Sequence, residues 1–332
     1  MTTYRAYVVR KTGKNEFTRS IENRAIESLP ENDILVRVQF SSLNYKDALS
    51  ATGNPGVTRH FPHTPGIDAA GVVKESASPG IKPGSKVIVH GYDLGMETDG
   101  GFGQYIRVPA DWVVHLPEEM SLKTSMTYGT AGFTAAMAIE KMAELGVHPD
   151  SGDILVTGAT GGVGSLAIAL LGKLGYRVIA ATGKPEQREY LQSIGASDII
   201  SREETDDQTG KALLSRRWAG AIDTVGGNTL STVLRSMDFS GVVASCGNAR
   251  SGDLNLNVYP FILRGVNLRG VDSGNCDIKY RQRIWNKLAA EWSIPHLDTI
   301  VKEITLEELD ETIDLMLNGK HTGRTVINLW KD

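Results

Sequence analysis

The stretch Gly158-Ala-Thr-Gly161-Gly-Val-Gly164 stands between an apolar run and a helical pattern. Glycines at that spacing let the backbone turn tightly and approach a ligand. A helix starting there presents free N–H groups and a positive dipole end to an anion. The chemistry implied is recognition of a dinucleotide pyrophosphate. The first glycine of the usual G-x-G-x-x-G is replaced by Ala159, with Gly158 just before it. The strand, turn, helix and strand that must surround such a loop are all legible around it, which is what gives the pattern weight.

The end of the next strand selects the dinucleotide. NAD enzymes place an acid there, about 20 residues on, against the ribose 2′-hydroxyl. Here the residues are Ala180-Ala-Thr-Gly-Lys184, without an acid. Thr182 offers a hydroxyl, Lys184 a cation, and Arg202 follows the next strand. A 2′-phosphate suits donors and cations, so NADP(H) is the expected cofactor.

The elements that must position these residues change in style along the chain. Residues 4–9, 33–40, 72–73, 85–90 and 103–108 read as strands, punctuated by Pro62, Pro65, Gly66, Pro79, Gly80, Pro83 and Gly84. Residues 121–145 read as a helix interrupted by small residues. Beyond them strands and helices alternate: strand 154–157, helix 163–174 capped by Gly175, strand 177–182, helix 185–194, then short strands 198–201, 220–224, 241–245 and 268–271. Alternation of this kind predicts a parallel sheet covered on both faces. Residues 277–292 and 307–317 read as amphipathic helices, and a strand-like end begins at Arg324. A lone strand needs a sheet, so the chain's end is expected to return to the first domain. The expected class is α/β, with a β-rich domain from residues 1–124 and 295–332 and a doubly wound parallel-sheet domain from 125–294.

Composition narrows the classes. The chain has 332 residues, 41% hydrophobic and 22% charged, with a net charge of −4, enough for two packed domains. There is no basic tract, which argues against nucleic acid. No apolar run approaches the ~18 residues of a membrane span, and the opening residues lack a signal peptide's apolar core. The two cysteines, Cys246 and Cys276, fit a reducing compartment. A cytoplasmic protein is the expectation.

Several motifs together resemble the medium-chain dehydrogenase/reductase superfamily: Thr130-Ala-Gly-Phe-Thr-Ala135, the glycine loop, and Ile222-Asp-Thr-Val-Gly226. Leu43-Asn-Tyr-Lys-Asp47, Thr64-Pro-Gly-Ile-Asp68, Ser245-Cys-Gly-Asn248 and Gly270-Val-Asp-Ser273 resemble its zinc-free, quinone-oxidoreductase-like branch, and within it the YhdH/YhfP group that includes acrylyl-CoA reductases. The resemblance covers essentially the whole chain. It implies a GroES-like catalytic domain, a Rossmann cofactor domain and a homodimer, for which residues 266–271 are a plausible edge strand.

Zinc members carry Gly-His-Glu where this chain has Gly66-Ile67-Asp68, together with an early-loop cysteine that has no counterpart here. His60 and His63 stand in a proline-bounded loop and read as exposed. No metal is therefore expected. Without a Lewis acid, the chemistry must be hydride donation to an activated acceptor, an enone-type double bond or a quinone. Such a site needs donors for the carbonyl oxygen and a proton source for the α-carbon.

The resemblance supplies candidates. Asn44 is expected to bond the nicotinamide ribose or the substrate carbonyl, Tyr45 to stabilise the enolate or give a proton, and Arg324 to contact cofactor or substrate. Lys46 and Asp47 read as a buried ion pair or as catalytic. Thr130 is expected at the nicotinamide end, and Thr160, Gly161, Gly162 and Val163 at the pyrophosphate. Cys246, Gly247, Asn248, Val271, Asp272 and Ser273 are expected to border the nicotinamide pocket, with Cys246 as lining and not as nucleophile. Acryloyl-CoA leads as substrate, with Arg59, Lys46 and Arg264 available for CoA phosphates. A quinone is the alternative substrate, and a non-catalytic NADPH-binding sensor or scaffold is the alternative class.

Overall fold

The computed structural model describes residues 2–331. The chain divides into two units. One runs to Thr130 and takes in Gly274–Ala290 and the chain from Val301; the other comprises Ala131–Ser273 and Glu291–Ile300.

The first unit is β-rich. Its seven-stranded sheet runs Val301–Ile304, Arg324–Asn328, Ile34–Ser42, Asp68–Ser76, Lys86–His90 and Val113–His115, with Tyr105–Val108 also paired to Ile34–Ser42. Ile34, Val36 and Val38 alternate into the core and are fully buried with Leu94, Phe102 and Ile106. The strand at the chain's end pairs antiparallel with Ile34–Ser42, with Val326 opposite Ser42. A hairpin of Thr3–Gly13 and Glu16–Ala25 stands as a separate two-stranded sheet. Its second strand was not expected, because Glu16, Arg19, Glu22 and Arg24 hide the alternation.

Helix Ile278–Ala289 differs from expectation in its placement: residues 274–290 join the β-rich unit. The physical reason is two buried anchors. Trp285 donates its indole N–H to His90 Nε2 at 2.9 Å, and Arg281 donates to the His90 carbonyl at 2.8 Å. The amphipathic pattern identified the helix but not the core its apolar face would meet.

The second unit is a six-stranded sheet in the order Asp198–Ser201, Val178–Thr182, Ile154–Val156, Trp218–Asp223, Met237–Ser245, Asn267–Gly270, with every neighbouring pair parallel. The chain leaves Ile154–Val156 toward one edge and returns to fill the other side from Trp218–Asp223. The strand order reverses between those two strands, where this class of sheet opens a crevice for ligands. Helix Gly162–Lys173 follows the first of them and buries Leu166, Ala167, Ile168, Leu170 and Leu171. A Cβ on Gly164 would come within 2.3 Å of the Gly158 carbonyl oxygen, so only glycine lets the helix close onto its entry turn.

Candidate active site

In the β-rich unit, the predicted residues gather around one that sequence reasoning did not select. Asp68 begins its strand with its side chain fully buried. Its carboxylate accepts from Ser42 Oγ at 2.5 Å, Asn44 Nδ2 at 2.7 Å, Thr130 Oγ1 at 2.6 Å and the Thr130 N–H at 3.0 Å. Arg324 Nη2 lies 3.9 Å away. Gly129 makes room for this convergence. It breaks helix Leu122–Ala143 at φ 51°, ψ −158°. A Cβ there would sit 2.5 Å from both Asp68 Oδ2 and Ser42 Oγ.

Arg324, expected to reach cofactor or substrate, is buried within the β-rich unit. It donates to the Thr127 carbonyl at 3.1 Å, the Leu43 carbonyl at 3.0 Å, Asn44 Oδ1 at 3.2 Å and Ser42 Oγ at 2.8 Å. Burial pulls its guanidinium below the usual value, opposed by Asp68 and Asp47. Asn44 is held from both ends. Its Nδ2 donates to Asp68 and, at 3.3 Å, to the Ser42 carbonyl, while its oxygen takes the Arg324 bond.

Tyr45 opens helix Tyr45–Ala51 and is 47% exposed. Lys46 and Asp47 do not form the buried pair considered for them, since Lys46 is exposed. Buried Asp47 accepts from the backbone N–H groups of Asn44 at 2.8 Å, Gly66 at 3.2 Å and Ile67 at 2.8 Å. It thereby clips the start of the helix to the segment entering the Asp68 strand. Burial and the neighbouring Asp68 push its carboxyl up to about 7.

Beneath Thr130 lies His90, whose Nδ1 is 3.4 Å from the threonine hydroxyl. Trp285 donates to its Nε2 at 2.9 Å, and Arg281 Nη1 lies 2.9 Å from both ring nitrogens. Burial and Arg281 hold its pKa well below the ordinary value, so the ring is neutral. His63 also departs from expectation: it is buried, with Nε2 2.9 Å from the Gly95 carbonyl oxygen, while His60 is exposed. Among the described residues, no group of three or more His, Cys, Asp or Glu side chains is placed to hold a metal ion.

In the parallel-sheet unit, the other predicted residues lie at the carboxyl ends of the strands. Thr160 is buried and Gly161, Gly162 and Val163 are partly open at the start of helix Gly162–Lys173. No side chain caps that helix at Gly161. Its first N–H groups have no acceptor within the helix, the feature a pyrophosphate requires. Thr182 Oγ1 accepts the Lys184 N–H at 3.0 Å. Partial burial lowers the Lys184 ammonium from its usual value. Ser201 pairs with Thr182, so Arg202 lies beside Gly183, where a Cβ would be 2.8 Å from Arg202 Cδ. Arg202 thus comes to the strand end that carries Thr182 and Lys184, and its Nε pairs with the exposed Glu203 at 3.2 Å.

Further along the same edge, Cys246 donates its backbone N–H to the Asp223 carbonyl at 2.9 Å, and its thiol does so at 3.3 Å. Burial pushes that thiol up to about 12, out of nucleophilic range. Gly247 and Asn248 continue the loop, and Gly247 tolerates no side chain, since a Cβ would meet the Thr224 carbonyl oxygen at 2.6 Å. Val271 donates to the Ser245 carbonyl at 3.0 Å, Asp272 is exposed, and Ser273 Oγ takes the Thr134 hydroxyl at 2.8 Å. Arg264 is not available to a CoA phosphate, because it donates to the carbonyls of Leu214, Arg235 and Met237.

The chain resembles known proteins over both units. An alcohol dehydrogenase GroES-like domain model matches residues 30–118, and a zinc-binding dehydrogenase model matches residues 162–291. The acrylyl-CoA reductase AcuI of Ruegeria pomeroyi is 40% identical over 327 residues, 98% of this chain and 99% of the relative. YhfP of Bacillus subtilis strain 168, which carries a quinone oxidoreductase name, is 42% identical over 310 residues, 93% of this chain and 94% of its own. The crystal structure of YhfP with NAD bound superposes with a TM-score of 0.96 at 41% identity, covering 99% of this chain and 100% of the other. The Salmonella enterica yhdH oxidoreductase in complex with NADP gives a TM-score of 0.94 at 40% identity, covering 98% and 99%.

Proposed function

The chain belongs to the medium-chain dehydrogenase/reductase superfamily, and from that premise we propose that it is an NADPH-dependent reductase of an activated carbon–carbon double bond, with acryloyl-CoA as the favoured substrate. Two observations support the two halves of this reading. The Thr182, Lys184 and Arg202 cluster at a strand end without an acid supports NADPH. Identity of 40% across 98% of the chain with an acrylyl-CoA reductase supports the substrate class.

When bound, NADPH supplies a hydride for the β-carbon. The chain's own residues do the rest. The N–H groups at Gly161, Gly162 and Val163, with Thr160 beside them, hold the pyrophosphate. Lys184, Arg202 and the Thr182 hydroxyl take the 2′-phosphate. Both amide protons of Asn44 are committed, to Asp68 and to the Ser42 carbonyl, so it offers a ligand only an oxygen lone pair. That favours a ribose hydroxyl over a substrate carbonyl as its partner. Tyr45 carries the exposed phenol, whose one proton either stabilises the developing enolate oxygen or goes to the α-carbon. Arg324 acts through Asn44 and Asp68 as a positioning residue. Of the candidates for CoA phosphates, exposed Arg59 and Lys46 remain.

The assembly proposed is a homodimer. Asn267–Gly270 is the edge of the parallel sheet, and nearby segments expose Phe239, Val258, Tyr259, Ile262 and Leu263, more apolar surface than scattered exposure accounts for.

The test follows NADPH absorbance with acryloyl-CoA and a soluble quinone in parallel, and NADH as control. The expected result is oxidation with acryloyl-CoA at kcat/KM of at least about 10⁴ M⁻¹s⁻¹. Preference for the quinone would reassign the substrate. Binding of NADPH without turnover of either would favour a sensor or another acceptor.

A further inference from the structure

The phosphate-binding turn does not stand alone on the sheet. It is fastened to the loop after the neighbouring strand Trp218–Asp223 through a carboxylate that no ligand role explains. Asp223 ends strand Trp218–Asp223, is fully buried, and forms no ion pair among the described residues. Its Oδ1 accepts the Thr157 hydroxyl proton at 2.7 Å, and its Oδ2 accepts the Gly226 N–H at 2.8 Å. The Thr157 oxygen, its proton thus directed at Asp223, accepts the Thr224 N–H at 3.1 Å, and the Thr224 hydroxyl donates to the Thr157 carbonyl at 3.0 Å.

Thr157 is the residue immediately before the glycine turn. There is no slack between it and the neighbouring loop: a Cβ on Gly158, at φ +60°, would lie 2.2 Å from Thr224 Oγ1. Burying a carboxylate without a cation is costly, and burial raises its pKa. An Asn in its place would offer one acceptor where two donors converge. The helix Gly227–Arg235, whose entry residue Gly226 bonds the carboxylate, supplies the favourable dipole end.

We propose that Asp223, through the Thr157 hydroxyl, is a positioning residue that fixes the height and orientation of the phosphate-binding turn, so that cofactor affinity depends on a carboxylate that does not touch the cofactor. The proposal rests on the NADPH reading above.

The experiment is a fluorescence titration of purified protein with NADPH, on wild type, Thr157→Val and Thr157→Ser. Val keeps the shape and removes the hydroxyl; Ser restores it. Loss of a hydrogen bond to a charged group corresponds to an increase in Kd of about tenfold or more in T157V, and T157S should return close to wild type. Thr224→Val, which removes the second hydroxyl from outside the turn, is the second variant if T157V does not fold, and should shift Kd in the same direction. T157V binding within about twofold of wild type, or T157S binding as weakly as T157V, would overturn the proposal. Wild type failing to bind NADPH would instead remove the reading beneath it, and the proposal with it.

Discussion

Asn44 gives its amide proton to Asp68 at 2.7 Å. With Arg324 donating to the other end of the same amide at 3.2 Å, the orientation of Asn44 is fixed. Replacing Asp68 by Asn exchanges an acceptor for a donor and invites the amide to flip. D68N should raise the NADPH Kd by about tenfold, the scale of one charge-assisted hydrogen bond. Combined with Asn44→Ala, it should cost little beyond N44A alone. Losses that multiply would show independent roles.

Arg324 bonds the carbonyls of two distant segments, at Thr127 and Leu43. Arg324→Met leaves Asp68 buried beside an apolar chain and removes donors from two backbone carbonyls. Unfolding in urea should show a loss of about 3–5 kcal/mol. A variant as stable as wild type would mean the buried pair contributes nothing.

Gly129→Ala tests the break in the helix. Its backbone lies where only glycine is at ease, and the added carbon would press on Asp68 and Ser42. The strain alone costs about 1–3 kcal/mol, so thermal melting should fall by several degrees, with cofactor binding weakened as the Asp68 cluster shifts.

Cofactor choice should reside in the strand-end cations. Lys184→Ala with Arg202→Ala should lower kcat/KM for NADPH by about 10- to 100-fold per lost charged hydrogen bond, while NADH use changes little. Steady-state kinetics with both cofactors gives the ratio. An unchanged ratio would locate 2′-phosphate recognition elsewhere.

Asp47 gives the fold a pH dependence of unusual sign for a carboxylate. Its folded value, raised to about 7, exceeds the unfolded value of about 4, so the folded state holds the extra proton across that window. Its stabilising contribution is full below the unfolded value and is lost as pH rises through the folded value. Urea unfolding at about pH 5 and about pH 7 should show this decline in wild type, and Asp47→Asn should flatten it.

Ile262→Asp places a charge on the exposed apolar segment near the sheet edge. Light scattering should show the proposed dimer reduced to monomer. A wild type already monomeric would remove the dimer.

Local pattern was enough for much of this protein. The alternation of strands and helices after residue 150 needs only periodicity and glycine placement. The phosphate turn is legible because its glycines are forced by sterics within a few residues of one another. The absence of an acid after Ala181 is a fact of one strand end. Cys246 does not read as a nucleophile because no histidine stands near it in sequence, and its thiol is pushed up to about 12.

Tertiary structure decided what depends on which chain segments meet. Asp68 lies 24 residues from Asn44 and is bound to it; Arg324 lies 280 residues away and is bound to the same side chain. No periodicity announces such contacts. A buried polar group must find its partners among whatever the fold brings near, so Arg324 bonds the Thr127 and Leu43 carbonyls, and Asp47 took backbone N–H groups in place of Lys46. Likewise the amphipathic pattern of Ile278–Ala289 set a helix but left open its host core. Sequence alone determined where backbone could bend and which faces were apolar, because those are short-range properties of residues. Which acceptor each buried donor would meet was settled only when distant strands came together, because a hydrogen bond acts over about 3 Å of space regardless of distance along the chain.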